Sequence, residues 1–120
     1  MNTKIDKIFT EVSAGELVDK ITILEIKKVK ISKKEKLDEI NKELDSLIST
    51  FKKHIPSDVS IKNQIIKLKD INLKLWEIEE NKRNFEKERK FDDEFILLAR
   101  NVYKFNDERA KIKLAINNSL

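Results

Sequence analysis

One glycine and one proline stand in 120 residues, and that scarcity constrains the fold more than any other feature of the sequence. Sheets and barrels turn often, and their tight turns are built with Gly, Pro and Asn-Gly pairs. A chain almost without them turns only a few times and places its length in long elements. Leu, Ile, Lys, Glu and Asn dominate the composition, so those elements are helices. A chain of this size forms one domain, residues 1–120, and buries about two thirds of its unfolded surface without staples. The expected fold class is all-α: an elongated antiparallel bundle of three to four long helices, spanning about residues 14–31, 33–53, 59–89 and 93–117.

Local signals set those bounds. "SAGE" at 13–16 reads as a capping box, with the Ser13 hydroxyl on the third helical amide and Glu16 reaching back. The helix that follows carries Leu17, Val18, Ile21, Ile23, Leu24, Ile26 and Val29 around more than half its circumference. It is therefore either central in the bundle or shared with a second subunit, which raises a homodimer through helix 1. "SKKE" at 32–35 repeats the capping signal and places a break near Ser32; one long bent helix is the alternative. Leu37, Ile40, Leu44, Leu47 and Phe51 alternate steps of three and four, a coiled-coil seam too short to stand as a separate coiled coil. Pro56 in "HIPSD" breaks the chain, and Ser57 or Asp58 is available to cap the next helix. That helix has Ile61, Leu68, Ile71, Leu75, Ile78 and Phe85 as its core stripe. "KFDDEF" then turns the chain, with Asp92 as cap.

Composition narrows the function classes. Twenty-six basic and 22 acidic residues give a net charge of +4, spread along the whole chain. No basic block stands free of acids or interleaves with aromatics, which argues against a nucleic-acid partner. Without cysteine there is no disulfide, thiolate nucleophile or thiolate metal site, a composition that suits a cytoplasmic protein. "MNTKIDKIFTEV" lacks the apolar run of a signal peptide, and no stretch approaches a membrane span.

The last helix breaks its own pattern. Phe95, Leu98, Ala99 and Val102 define its apolar centre, but the same face continues into Asn106, Arg109 and Lys113, with Ile112 and Ile116 alongside. An inward charge is costly unless it is paired. In a hairpin closing near residue 91, position 106 comes level with 76 and 109 with 73. There "LWEIEENKRNFE" sets the chain's one tryptophan among charges. Asn72, Trp76, Glu79 and Arg83 fall at i, i+4, i+7 and i+11, one ridge beside the core stripe. Trp76 can wall a pocket into which Asn72, Glu79, Asn106 and Arg109 point. Glu16, Asp19, Lys20 or Glu25 of the first helix can complete it, and spacing does not choose among them. The blander alternative is a structural Arg109–Glu79 pair with Trp76 at the edge of the core, because long helices bury arginine stems and let the charged end reach water.

At these residues the chain resembles a small bacterial family of unknown function. "VSAGELVDKITILEIKKVKI", "NLKLWEIEENKRNFE" and "FDDEFILLARNVYKFNDERAKIKLAIN" look like its GE-x-x-DK-x-x-IL start, LW-x-IE centre and LAR-x-VY-x-x-ND-x-RA end. The motif positions here are Gly15, Glu16, Asp19, Lys20, Asn72, Leu75, Trp76, Glu79, Arg83, Ala99, Arg100, Tyr103, Asn106, Asp107 and Arg109. A more distant likeness is to another uncharacterised family, with LW-x-x-ED-x-x-R and N-x-x-R helices. The resemblance implies a polar site, no assigned activity, and genes near those of glycosyltransferases and surface polysaccharide. The chain departs from the usual acidic pair with Lys82 and Arg83, and lacks a proline often seen after the first helix.

The leading expectation is a binding or accessory protein with a Trp-walled polar groove for a charged small molecule or a protein partner. Its lining would be Glu16, Asp19, Lys20, Asn72, Trp76, Glu79, Arg83, Arg100, Tyr103, Asn106 and Arg109. A phosphate or nucleotide-sugar ligand would favour Lys20, Arg100 and Arg109. The enzyme alternative is a Mg2+-dependent nucleotide or phosphate-ester hydrolase of the all-α type, since Glu16-x-x-Asp19 and Glu77-x-x-Glu80 form paired acidic motifs, though in the order opposite to such enzymes. A purely structural helical protein is the third reading. No catalytic residue is assigned: His54 sits alone beside Pro56, and Ser13 has no histidine partner in the sequence.

Overall fold

The structure, a computed structural model, describes residues 7–120; the first six residues of "MNTKIDKIFTEV" lie outside them. Among the described residues there are four helices and no strand: α1 (Ala14–Lys30), α2 (Lys34–His54), α3 (Val59–Lys87) and α4 (Asp93–Ser119). The fold is all-α.

Each boundary has a local cause. Ser13 Oγ accepts the Glu16 N–H at 3.1 Å and starts α1. Only half of the capping box forms, because the Glu16 carboxylate turns to Lys113 Nζ at 2.7 Å instead of reaching back. At Ile31 the backbone becomes extended, and α2 begins after Lys33, which makes no side-chain cap. The alternative of one bent helix therefore fails, and Ser32 is not the cap its sequence context suggested. Asp58 caps α3 through the Ser60 N–H at 2.7 Å, and Asp92 caps α4 through the Phe95 N–H at 3.2 Å. Between them α3 ends in a Schellman motif: the Lys90 N–H bonds to the Phe85 carbonyl at 2.9 Å and the Arg89 N–H to the Glu86 carbonyl at 3.1 Å. This turn needs a left-handed residue, and Arg89 supplies it at φ 53° where glycine is usual.

Helix α1 is the hub. It packs against α2, α3 and α4; α3 and α4 form the longest contact, a hairpin, and α2 lies alongside α1 alone. Leu17, Val18, Ile21 and Leu24 of α1 join Ile40 and Leu44 of α2, Ile55, Ile61 and Leu68, and Ile116 of α4 in one core. The apolar surplus of α1 is thus met by three neighbours within the chain. Of its large apolar residues only Val29 is exposed, so packing inside one chain already accounts for the apolar surplus of α1. Because α1 has 17 residues against 29 in α3, the hairpin outruns it. The whole measures 47 × 46 × 24 Å, an open bundle long in two directions.

The single glycine sits where α1 and α4 approach closely. Gly15 is buried, and its N–H, one of those left over at a helix start, donates to Asn117 Oδ1 of α4 at 2.7 Å. A Cβ here would lie 3.0 Å from the Lys113 carbonyl carbon and closer still to its oxygen, both backbone atoms that cannot swing aside.

Two substitutions test these causes. Gly15→Ala should lower unfolding free energy by about 1–3 kcal/mol in urea titration, because overpacking outweighs the roughly 1 kcal/mol helix preference for alanine. Arg89→Gly should raise it by up to about 1 kcal/mol by relieving the left-handed side-chain penalty.

Candidate functional site

The inward charges of α4 find their partners on α1. Asp19, 1% exposed, lies one turn into α1 on the face that meets α4. Its Oδ1 accepts Arg109 Nε at 3.0 Å and Asn72 Nδ2 at 2.9 Å. Its Oδ2 accepts Arg109 Nη2, closing a two-pronged pair, and lies 3.5 Å from Lys113 Nζ. Thr22, fully buried, donates to the Asp19 carbonyl at 2.8 Å and accepts the Asn72 amide at 2.9 Å. Three helices are thus joined through one carboxylate. Burial pushes the Asp19 carboxyl up, but the hydrogen bonds from Arg109 and Asn72 and the charges of Arg109 and Lys113 outweigh it, and the net displacement is downward. Its hydrogen bonds to Asp19 raise Arg109, against burial and with help from the charges of Asp19 and Glu16.

Beside this clamp, between α1 and the hairpin, lies an open cleft of about 370 Å³. Ile23, Ile26, Leu75 and Val102 form its apolar walls with the ring of Trp76; Asn72, Glu79, Arg83, Asn106 and Arg109 supply its polar edge. The Trp76 N–H donates to Glu80 Oε1 one turn on, at 2.8 Å. That bond fixes the indole and resolves the puzzle of a tryptophan among carboxylates: one acid holds the ring and the ring walls the cleft. Glu79 lies 3.5 Å from Lys82, so the envisaged Arg109–Glu79 pair does not form. Arg109 Nη1 turns to Asn106 Oδ1 at 3.4 Å.

Of the residues singled out from the sequence, Asn72, Trp76, Glu79, Arg83, Asn106 and Arg109 meet at the cleft. Asp19 stands behind it, binding Arg109, and Glu16 lies one turn further along α1, on Lys113. Lys20 is exposed and outside it. Arg100 and Tyr103 line a different hollow on the outer side of α4. Ala99, placed by the sequence in the apolar centre of α4, is exposed on that outer side. Sequence reasoning missed Thr22, whose signal was a hydroxyl three residues after Asp19 inside an apolar run, and Asn117, which carried none. Among the described residues no three Asp, Glu or His side chains gather as metal ligands. Glu77 is exposed, and Glu80 holds Trp76.

Residues 8–120 match the family of unknown function DUF6165, and the chain belongs to that family. No curated protein and no solved structure matches the chain.

Removing one partner of the clamp should cost far more than removing both. Asp19→Asn or Arg109→Met should each lower stability by about 3–5 kcal/mol, and Asp19→Leu with Arg109→Met should recover part of the loss. The folded Asp19 pKa lies below its ordinary 3.8, so its contribution is complete above that value and is lost as pH falls through the folded pKa. Urea midpoints measured down the acid range should show a fall below about pH 4 that Asp19→Asn lacks.

Proposed function

We propose that this family member is a binding or accessory protein whose cleft holds a small anionic molecule against the face of Trp76. What supports the reading is a set of polar groups around the cleft that the fold itself does not use. Among the described residues Arg83 makes no ion pair. Asn72 uses its amide nitrogen on Asp19 and Thr22, and Asn106 its oxygen on Arg109, so the Asn72 oxygen and the Asn106 nitrogen are free for a ligand. A cationic fork, one amide acceptor, one amide donor and a flat aromatic wall suit a single ring bearing a carboxylate or phosphate. A volume of about 370 Å³ is at the small end for ligand pockets, room for one ring and its anionic group rather than a whole nucleotide sugar.

A place beside glycosyltransferases in surface-polysaccharide assembly is the finer form of this proposal. It rests on the genes that accompany the proteins the sequence resembles. The hydrolase alternative has weaker support. Glu16 and Asp19 are held by Lys113 and Arg109, and the second acidic pair is divided between solvent and Trp76.

A thermal-shift screen of sugar phosphates, uronic acids, nucleotides, nucleotide sugars and divalent cations tests the reading. A fitting anion at about 100 times its Kd should stabilise the protein by about 2.7 kcal/mol. Arg83→Met, remote from the Asp19 clamp, should abolish that rise without moving the ligand-free midpoint. A panel that moves nothing, or a rise that Arg83→Met leaves intact, rules the cleft out as an anion site.

A further inference from the structure

The outer side of α4 is unexplained by either the core or the cleft. The inner row of the helix, Phe95, Leu98, Val102, Phe105, Arg109, Ile112 and Ile116, steps by three and four and is buried or half-buried. A second row, advanced by one residue, repeats the stepping: Ile96, Ala99, Tyr103, Asn106 and Ala110, then Leu114. All six are exposed, Tyr103 at 70%, Leu114 at 58% and Ile96 at 53%. At the Ile96–Tyr103 end of this row lies a hollow of about 430 Å³ lined by Phe95, Ile96, Ala99, Arg100, Tyr103 and Lys104. A helix with two such rows is built to meet two sets of neighbours, and the chain supplies one.

We infer that the second neighbour is α4 of another copy of this chain, packed antiparallel about a two-fold axis. The charges decide between directions. Arg100 and Asp107 flank the row seven residues apart, both exposed and neither in an ion pair among the described residues. Both lie on one flank of the row, and a parallel pairing turns that flank toward the partner's opposite flank, so the two charges never meet. In the antiparallel register that layers Ala99 on the partner's Ala110, and Tyr103 on the partner's Asn106, each Arg100 comes within two residues of the partner's Asp107. That is about 3 Å of helix rise, within reach of a guanidinium. The small Ala99–Ala110 layers let the helices approach, and the Tyr103–Asn106 layer is polar, the kind of layer that fixes register. Such an interface repeats one patch on both subunits, as a closed two-fold dimer requires. Asn106 belongs to both the row and the cleft, so the partner helix would border the cleft mouth. The dimer does not depend on the cleft holding a ligand.

Sedimentation equilibrium on the full chain from about 10 µM to about 1 mM tests the inference. The mass should rise from the 14.2 kDa of one chain toward twice that value. Tyr103→Glu should keep the helical circular dichroism and melting midpoint but hold the mass at one chain. Arg100→Asp and Asp107→Arg should each weaken association at least about tenfold. Mixing these two singly altered proteins, or combining both changes in one chain, should restore it. Wild-type protein that stays at one chain mass at the highest concentration overturns the proposal. A dimer indifferent to Tyr103→Glu, or a charge swap that fails to rescue, overturns it equally.

Discussion

A carboxylate that is 1% exposed has to be surrounded by donors or the fold is lost. Asp19 meets that demand with Arg109, Asn72 and Lys113, and in doing so ties α1 to both helices of the hairpin. Neither α1 nor the hairpin can rotate about its axis without leaving a charge unpaired, so the pair fixes register as well as proximity. Hydrophobic contact among Val18, Leu68 and Ile116 supplies the bulk of the attraction but tolerates sliding. The ion pair does not.

The same arrangement sets the cleft. Gly15 lets the start of α1 sit directly on the end of α4, and further along α1, Ile23 and Ile26 wall the cleft against the hairpin. The Arg109 guanidinium lies at the edge of that cleft with its back to Asp19. A cation already neutralised on one side keeps an N–H edge for hydrogen bonding toward the open side. Arg83, further out on α3, retains its full charge.

Much of this was legible in the sequence because it depends on helical phase. Asn72, Trp76, Glu79 and Arg83 share a face at any reasonable helix boundary, and Asn106 and Arg109 come level with them once Asp92 caps α4. What phase alone could not resolve was which acid Arg109 would choose. Glu79 and Asp19 were both in range by spacing, and the choice depended on the position of α1 across the hairpin, a tertiary quantity set partly by a missing Cβ at residue 15. Capping was legible at Asp92, and at Asp58 as one of two neighbouring candidates. It misled where a stronger partner existed: Glu16 left its own helix start for Lys113. Ala99 was misplaced because α4 carries two rows of three-and-four stepping one residue apart, and an alanine at their border fits either.

Helix α2 has 21 residues but buries only Ile40 and Leu44 and lies alongside a single neighbour. Its start carries no side-chain cap. Leu47, Ile48 and Phe51 add half-buried contact with the core, but α2 takes no part in the Asp19 network that joins α1, α3 and α4. It is tied to α1 through Ile31–Lys33 and to α3 through Ile55–Asp58, so any loosening has to bow it outward between two fixed ends and expose the α1 side chains it covers. The molecule thus holds α1, α3 and α4 together through a polar clamp, and α2 through apolar packing alone.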